Sequence, residues 1–260
     1  MDILKAETAL QASYALGAAR YRKDDDVEVT TPHHRRLGEA LTRLSGSFGR
    51  PISALDAGCG TGRYFYCLRN VERLVGMDIS PEMLAAARDP VKSELITARS
   101  IELIRGNVFM ASFAPRSFDL IYSFGMFGHG CPVTVEICNQ FYSWLKPGGY
   151  LFFDTIDVGG LPWAERLRKG LRKRLYAIAP DGMRAALDRR QQGTPFFGLT
   201  RRELERILGA SRFTSYRVTS EVCESPLWQG RHLECLAGVL LPDFPARAHA
   251  VAVQQPMPSS

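Results

Sequence analysis

Apolar and polar positions follow two different periods along this chain, and the switches between them predict its elements. Residues 2–22 place Ile3, Leu4, Ala9, Leu10, Tyr14 and Leu16 at mixed three- and four-residue spacing, a helical pattern, with Lys23-Asp24-Asp25-Asp26 reading as a polar break after it. Thr31-Pro32 supplies an N-cap and a first helical residue for a helix through Leu37, Leu41 and Leu44 that stops near Gly46-Ser47. From Ile52 onward, short apolar runs alternate with helical segments. Strands are expected at Ile52–Asp56, Arg73–Asp78, Ile101–Gly106, Phe118–Ser123 and Tyr150–Thr155. Between them lie a helix-like stretch at Tyr64–Asn70, a helix from Ser80-Pro81-Glu82 to about Arg88, and another at Val133–Leu145, closed by the turn Lys146-Pro147-Gly148-Gly149. Strands separated by helices at this spacing argue for a parallel sheet built with right-handed crossovers. The alternation pauses after Thr155 for about forty residues and resumes with a helix at Thr200–Leu208, where Thr200 and Glu203 have capping-box spacing. Two further strands, Ser215–Cys223 and Leu233–Leu241, precede a Pro- and Ala-rich tail over 242–260 that is expected to be disordered.

Composition narrows the class. A chain of 260 residues holds one substantial domain, or one domain with an elaboration. Its 45% hydrophobic and 23% charged content is that of an ordinary soluble protein. No apolar run approaches the ~20 residues that a membrane helix needs. Asp2, Lys5 and Glu7 spoil a basic-then-apolar leader, so no signal peptide is expected. Cys59, Cys67, Cys131, Cys138, Cys223 and Cys235 show no CxxC pairing and read as reduced thiols of a cytoplasmic protein, neither a disulfide frame nor a zinc site. The net charge of +6 is concentrated: nine basic and three acidic residues lie between Trp163 and Arg190 and carry an excess equal to the whole.

One segment carries specific chemistry. Leu55-Asp56-Ala57-Gly58-Cys59-Gly60-Thr61-Gly62-Arg63 ends the first strand with three alternate glycines behind an acidic residue. Such a turn lets backbone approach a polar ligand where a Cβ would collide, and it falls where open α/β sheets bind nucleotide-like cofactors. A dinucleotide fingerprint would require a glycine at Arg63, which weakens a hydride-transfer reading. Twenty residues beyond Gly58, Asp78 ends the second strand, where a carboxylate can accept from both ribose hydroxyls, and Ile79 offers an apolar face to a base.

The acidic-x-Gly-x-Gly-x-Gly pattern resembles motif I of the class I S-adenosylmethionine-dependent methyltransferases of the small-molecule type. The resemblance covers about residues 50–155 and includes Asp78, Gly106-Asn107-Val108, Ser123 and the Lys146–Gly149 turn. It implies a seven-stranded, mostly parallel Rossmann-like sheet with helices on both faces, an antiparallel last strand and a helical cap insertion. The implied divisions are an N-terminal helical lid (1–48), a cofactor-binding core (49–157), a basic cap (158–197) and the rest of the core sheet (198–241). S-adenosylmethionine is the implied cofactor, held by Asp56, Gly58, Gly60, Gly62, Asp78, Ile79, Asn107, Val108 and Ser123. Asn107 stands where the family usually has Asp, which changes charge but not the capacity to accept a hydrogen bond.

A hydroxyl or ammonium acceptor must lose a proton, and histidine is the side chain suited to take it near neutral pH. His129, at the mouth of the fourth strand, and His33, beside His34 at the start of the second helix, are candidates, with Tyr21 of the lid as a third; His232 is placed between the last two strands as structural, and His249 lies in the tail. Tyr14, Phe127, His129 and Trp163 are candidates for acceptor binding, one of Met126 and Phe127 being assigned to the core. The expected acceptor is a small molecule methylated on oxygen or nitrogen. The basic amphipathic segment would suit an anionic or lipid-soluble acceptor, or peripheral contact with a membrane. Methylation of RNA or tRNA, and a non-catalytic S-adenosylmethionine binder, are the alternatives. No metal is implied.

Overall fold

A computed structural model of the chain describes residues 20–128, 131–159, 171, 197–224 and 229–238. His129, Tyr14, Trp163, nearly all of the basic cap and the tail lie outside these residues. The elements are α1 (described over 20–28), α2 (Pro32–Gly46), β1 (Ile52–Ala57), β2 (Val71–Asp78), α3 (Pro81–Ala86), β3 (Ser100–Arg105), β4 (Phe118–Ser123), α4 (Val135–Trp144), β5 (Leu145–Ile156), α5 (Arg201–Ala210), β6 (Ser215–Glu224) and β7 (Gln229–Gly238).

Each main helix starts where its sequence offers a cap. Thr31, Ser80 and Thr134 accept from the amides of His34, Met83 and Ile137, and Pro32 and Pro81 occupy the first helical turn, where a missing N–H costs nothing. Thr200 and Glu203 make both bonds of a capping box.

The seven strands form one sheet in the order β3-β2-β1-β4-β5-β7-β6. Neighbours from β3 to β5 run parallel, whereas β7 is antiparallel to both β5 and β6. The chain moves outward from β1 to β3 and then returns to β4, so the order reverses between β1 and β4, where a doubly wound sheet opens a crevice at its carboxyl edge. Successive strand residues point to opposite faces. Leu55, Ile121, Phe153 and Leu233 pack under α4 and α5; Ala54, Leu74, Leu120 and Phe152 pack against α2, α3 and the turn Phe65–Cys67. Each fully buried Leu or Phe contributes about 1.5–3 kcal/mol, so these two layers carry most of the stability.

Several expectations need correction. Lys23–Asp26 is not a break but lies within α1, and Asp25 there is fully buried. The stretch Tyr64–Asn70 holds only a three-residue 3-10 turn, Phe65–Cys67, which ends at extended Leu68, and Asn70 has left-handed backbone at φ 57°. Lys146–Gly149 bulges out of β5 instead of preceding it: Phe118 pairs with Leu145 and Leu120 with Tyr150, with Gly148 at φ 75°. β7 begins four residues earlier than expected, which brings His232 into the sheet opposite Ile156.

At the amino edge, Asp119 of β4 is 1% exposed and accepts from Arg50 (2.6 Å), the Ser53 amide (2.9 Å) and Lys146 (2.8 Å), joining the starts of three central strands. Burial opposes its charge, but these donors hold its carboxyl below the usual range. Asp119→Ala leaves them without their acceptor and should cost about 3 kcal/mol in urea unfolding, while ligand binding at the opposite edge is unchanged. Because the pKa is depressed, Asp119 stabilises at neutral pH, and that contribution fades as pH falls through its folded value.

Candidate functional site

The crevice is built on the turn that leaves β1. Gly58, Gly60 and Gly62 all have left-handed backbone, at φ 79°, 53° and 77°. A Cβ on Gly58 would lie 2.7 Å from the Met126 sulfur, and one on Gly62 would lie 2.6 Å from the Phe65 ring. One on Gly60 would meet nothing within 4 Å. Two glycines are therefore demanded by packing, and the middle one borders open space where a ligand can approach the backbone.

The turn is anchored from both sides. The amides of Gly58 and Cys59 donate to the Met77 carbonyl of β2, at 2.8 and 3.0 Å, and the Gly60 amide donates to Asp78 Oδ2 at 2.9 Å. From above, the buried Asp25 carboxylate of α1 accepts from the Thr61 hydroxyl and the Arg63 guanidinium. Arg63, which the sequence offered only as evidence against a dinucleotide, thus ties α1 to the cofactor turn. Nothing in the local pattern revealed this, since Asp25 sits in a run of three aspartates.

The predicted cofactor residues gather around this turn. Asp78 is half-buried at the end of β2; its second oxygen accepts from the Ser80 amide at 2.9 Å, and burial raises its pKa. The Ile79 amide also donates to this carboxylate, which still has acceptor capacity for a ligand hydroxyl. Ile79 is half-buried and Val108 buried. Asn107 Oδ1 accepts from the Phe109 amide at 3.0 Å, and the Gly106 amide donates to the Asp78 carbonyl at 2.9 Å, so the ends of β2 and β3 are held together. The Ser123 hydroxyl is buried and donates to the Ala57 carbonyl at 2.7 Å, which makes it a tie between β4 and β1. Asp56 is 3% exposed, and burial, with the charge of Asp78 nearby, pushes its carboxyl up to about 8.

On the acceptor side, Phe127 is 2% exposed and packs on Phe153 and Phe141, with ring centroids at 5.3 and 6.3 Å, so of the pair Met126 and Phe127 it is the one set in the core. Met126 is the neighbour that lies over Gly58. Tyr21 is 40% exposed on α1. His33 and His34 are buried, not solvated as a helix start would suggest. His34 bonds Tyr66 at 2.9 Å and stacks on Tyr64; burial, then the Arg63 charge, lowers it to about 3. His33 belongs to a cluster that sequence reasoning missed. Asp154 Oδ2 lies 2.7 Å from His232 Nδ1 and 3.8 Å from His33 Nε2, and Asp154 Oδ1 accepts from the Gly125 amide at 2.7 Å. Arg36 bonds His33 Nδ1 at 3.1 Å and Glu234 at 2.8 Å. The only hint was an aspartate closing the apolar run of β5, 78 residues from its histidine.

Ligand atoms of His33, Cys223 and His232 lie within 4.8 Å of one another, the one grouping with metal-like spacing among the described residues. Arg36 argues against a cation there, because its guanidinium already donates to His33 Nδ1.

Fold and turn together define the doubly wound, Rossmann-like class, and comparison with known proteins narrows it. Residues 55–153 match the family model described as a methyltransferase domain. Over these residues the chain is similar to that family. It is 30% identical over 156 residues to a malonyl-[acyl-carrier protein] O-methyltransferase of Enterobacter lignolyticus, covering 59% of this chain and 56% of that one. It is also 30% identical over 138 residues to a ubiquinone biosynthesis O-methyltransferase of Klebsiella pneumoniae, covering 51% and 54%. The chain thus spans about half the length of the curated relatives it matches. In structure it is similar to the 1,6-didemethyltoxoflavin-N1-methyltransferase of Burkholderia thailandensis, with a TM-score of 0.58 and 19% identity over 90% of this chain and 88% of that one. Magnesium protoporphyrin IX methyltransferase from Synechocystis gives a TM-score of 0.58 and 14% identity over 89% and 99%. These two likenesses establish the fold.

Two outcomes test the site. Because burial raises the Asp56 carboxyl from 3.8 to about 8, its contribution to stability is complete below 3.8 and declines as pH rises from there until it is lost by about 8. Asp56→Asn should remove that loss, read as a urea midpoint that falls less steeply between about pH 4 and pH 8 than in the unaltered chain. Asp25→Ala should speed hydrogen exchange in α1 and the glycine turn by at least ~10-fold while β4 and β5 keep their protection, because it leaves Arg63 unpaired at a part-buried site.

Proposed function

We propose that this protein transfers a methyl group from S-adenosylmethionine to the oxygen of a small-molecule acceptor. The observation that carries the reading is the left-handed glycine turn at the reversal of strand order, open above Gly60 and backed by Asp78, within residues similar to the methyltransferase-domain family. The residues present suit the cofactor: Asp78 would accept from its ribose hydroxyls, Ile79 and Val108 would flank its base, Asn107 would meet the base edge, and the turn would let its amino-acid end approach the backbone. When bound, the cofactor supplies an electrophilic methyl carbon on a sulfonium. The protein's part is then to align the acceptor with that carbon and exclude water, and alignment alone is worth several kcal/mol. The O-methyltransferase relatives favour oxygen over nitrogen.

No helix among the described residues is long and apolar enough to cross a membrane, and the six cysteines form no disulfide there, which suits a cytoplasmic enzyme. The basic segment 158–197 would cap the acceptor site, and residues 1–48 its cofactor side.

Calorimetry with S-adenosylhomocysteine tests the reading. The full chain should bind one equivalent, and Asp78→Ala should weaken binding at least ~10-fold by deleting two charge-assisted hydrogen bonds. Absence of binding by the unaltered chain would contradict it.

A further inference from the structure

We propose that Arg63 takes the carboxylate of the cofactor's amino-acid end on its two terminal nitrogens, and so makes that carboxylate a requirement for binding. This rests on the methyl-transfer reading above and adds to it the residue that decides which form of the cofactor is accepted.

Arg63 leaves the glycine turn between two buried residues, Gly62 and Tyr64. Its side chain engages α1 through one nitrogen only. Nε donates to Asp25 Oδ1, and Asp25 Oδ2 is taken by the Thr61 hydroxyl. The guanidinium is thus held by its inner edge. Such a group carries five N–H donors in a planar fork, four of them on Nη1 and Nη2. Among the described residues, no oxygen accepts from either of these two nitrogens. The Asp25 side chain is 0% exposed and that of Arg63 25%, so the contact at Nε is sealed and the open part of Arg63 lies away from it.

The surroundings supply no second anion at hydrogen-bond distance. Burial, with the Arg63 charge as a lesser cause, lowers His33 to about 4 and His34 to about 3, so both imidazoles are neutral at pH 7. Glu28 acts on Arg63 through charge at longer range than Asp25. Four unused donors on a part-buried cation are costly until an acceptor arrives.

The geometry of the fork names the acceptor, and its place names the source. Two parallel N–H groups in one plane match a carboxylate, which they bind through paired hydrogen bonds. Asp78, assigned to the ribose, grips the glycine turn from β2, whereas Arg63 and Asp25 stand on its α1 side. Gly60 lies between them, and a Cβ there would meet nothing within 4 Å. A cofactor with its ribose at Asp78 and its chain across Gly60 would carry its amino-acid end to the α1 side. Asp25 then acts as a positioning residue: it fixes the guanidinium through Nε, so the outer nitrogens are set before the ligand comes.

Decarboxylated S-adenosylmethionine, which keeps both the sulfonium and the ammonium, is the matched probe. In calorimetry with the full chain, S-adenosylmethionine should bind at least ~30-fold more tightly than this probe, the scale of two charge-assisted hydrogen bonds. Arg63→Gln retains a donor for Asp25. It should weaken S-adenosylmethionine at least ~10-fold and change binding of the probe less than about threefold. Arg63→Lys keeps the charge but not the fork, and should lose at least ~5-fold toward S-adenosylmethionine alone. An unaltered chain that binds both ligands alike overturns the proposal, whatever the variants do. Equal loss of both ligands in Arg63→Gln also overturns it, by making Arg63 only an anchor for α1. Full preference in Arg63→Lys does so too, by making charge and not the fork the cause. An unaltered chain that binds neither ligand instead defeats the methyl-transfer reading, and this proposal with it.

Discussion

The site depends on one constraint: the chain leaving β1 must pass through three left-handed glycines while packed between a strand and a helix. Met126 and Phe65 leave no room for side chains at Gly58 and Gly62. Met77 and Asp78 of β2 hold the turn from one side, and the buried Asp25 of α1 holds it from the other through Thr61 and Arg63. A turn gripped on both sides presents its backbone in one conformation before any ligand arrives, so binding does not have to order it. The same grip makes α1 part of the site, because a helix that lets go of Arg63 leaves a cation part-buried without its partner.

The two edges of the sheet divide the work. At the amino edge, Asp119 gathers Arg50, Lys146 and a β1 amide and locks the starts of the central strands. At the carboxyl edge, three carboxylates differ by their surroundings. Asp56 is buried and pushed up, Asp78 is held by backbone amides, and Asp154 is kept ionised by an imidazole and an amide. Three similar side chains within one sheet edge thus take different protonation behaviour from what surrounds them.

The parallel core was readable because each element announces itself locally. The Thr31-Pro32, Ser80-Pro81 and Thr200–Glu203 signals fall within a residue of the observed helix starts, and β4 matches its expected span. The glycine turn and Asp78 were readable for the same reason, since their spacing is short and their residue types are dictated by backbone geometry. What local pattern could not show is pairing across the fold. Asp25 reads as a solvated charge until Arg63, 38 residues on, is brought beneath it. His232 reads as a loop residue until the longer β7 sets it opposite Ile156 and beside Asp154. Local pattern also left open which of Met126 and Phe127 belongs to the core; left-handed backbone at Gly125 and Gly128 brackets the pair, and it is Phe127 that packs inward.

Hydrogen exchange of the full chain with and without S-adenosylhomocysteine tests the central claim, that the turn held between β2 and α1 is the cofactor cradle. Ligand should slow the amides of residues 58–62 and of α1 together, since Asp25 couples them. Binding that leaves both segments unchanged while protecting another part of the sheet would contradict the account.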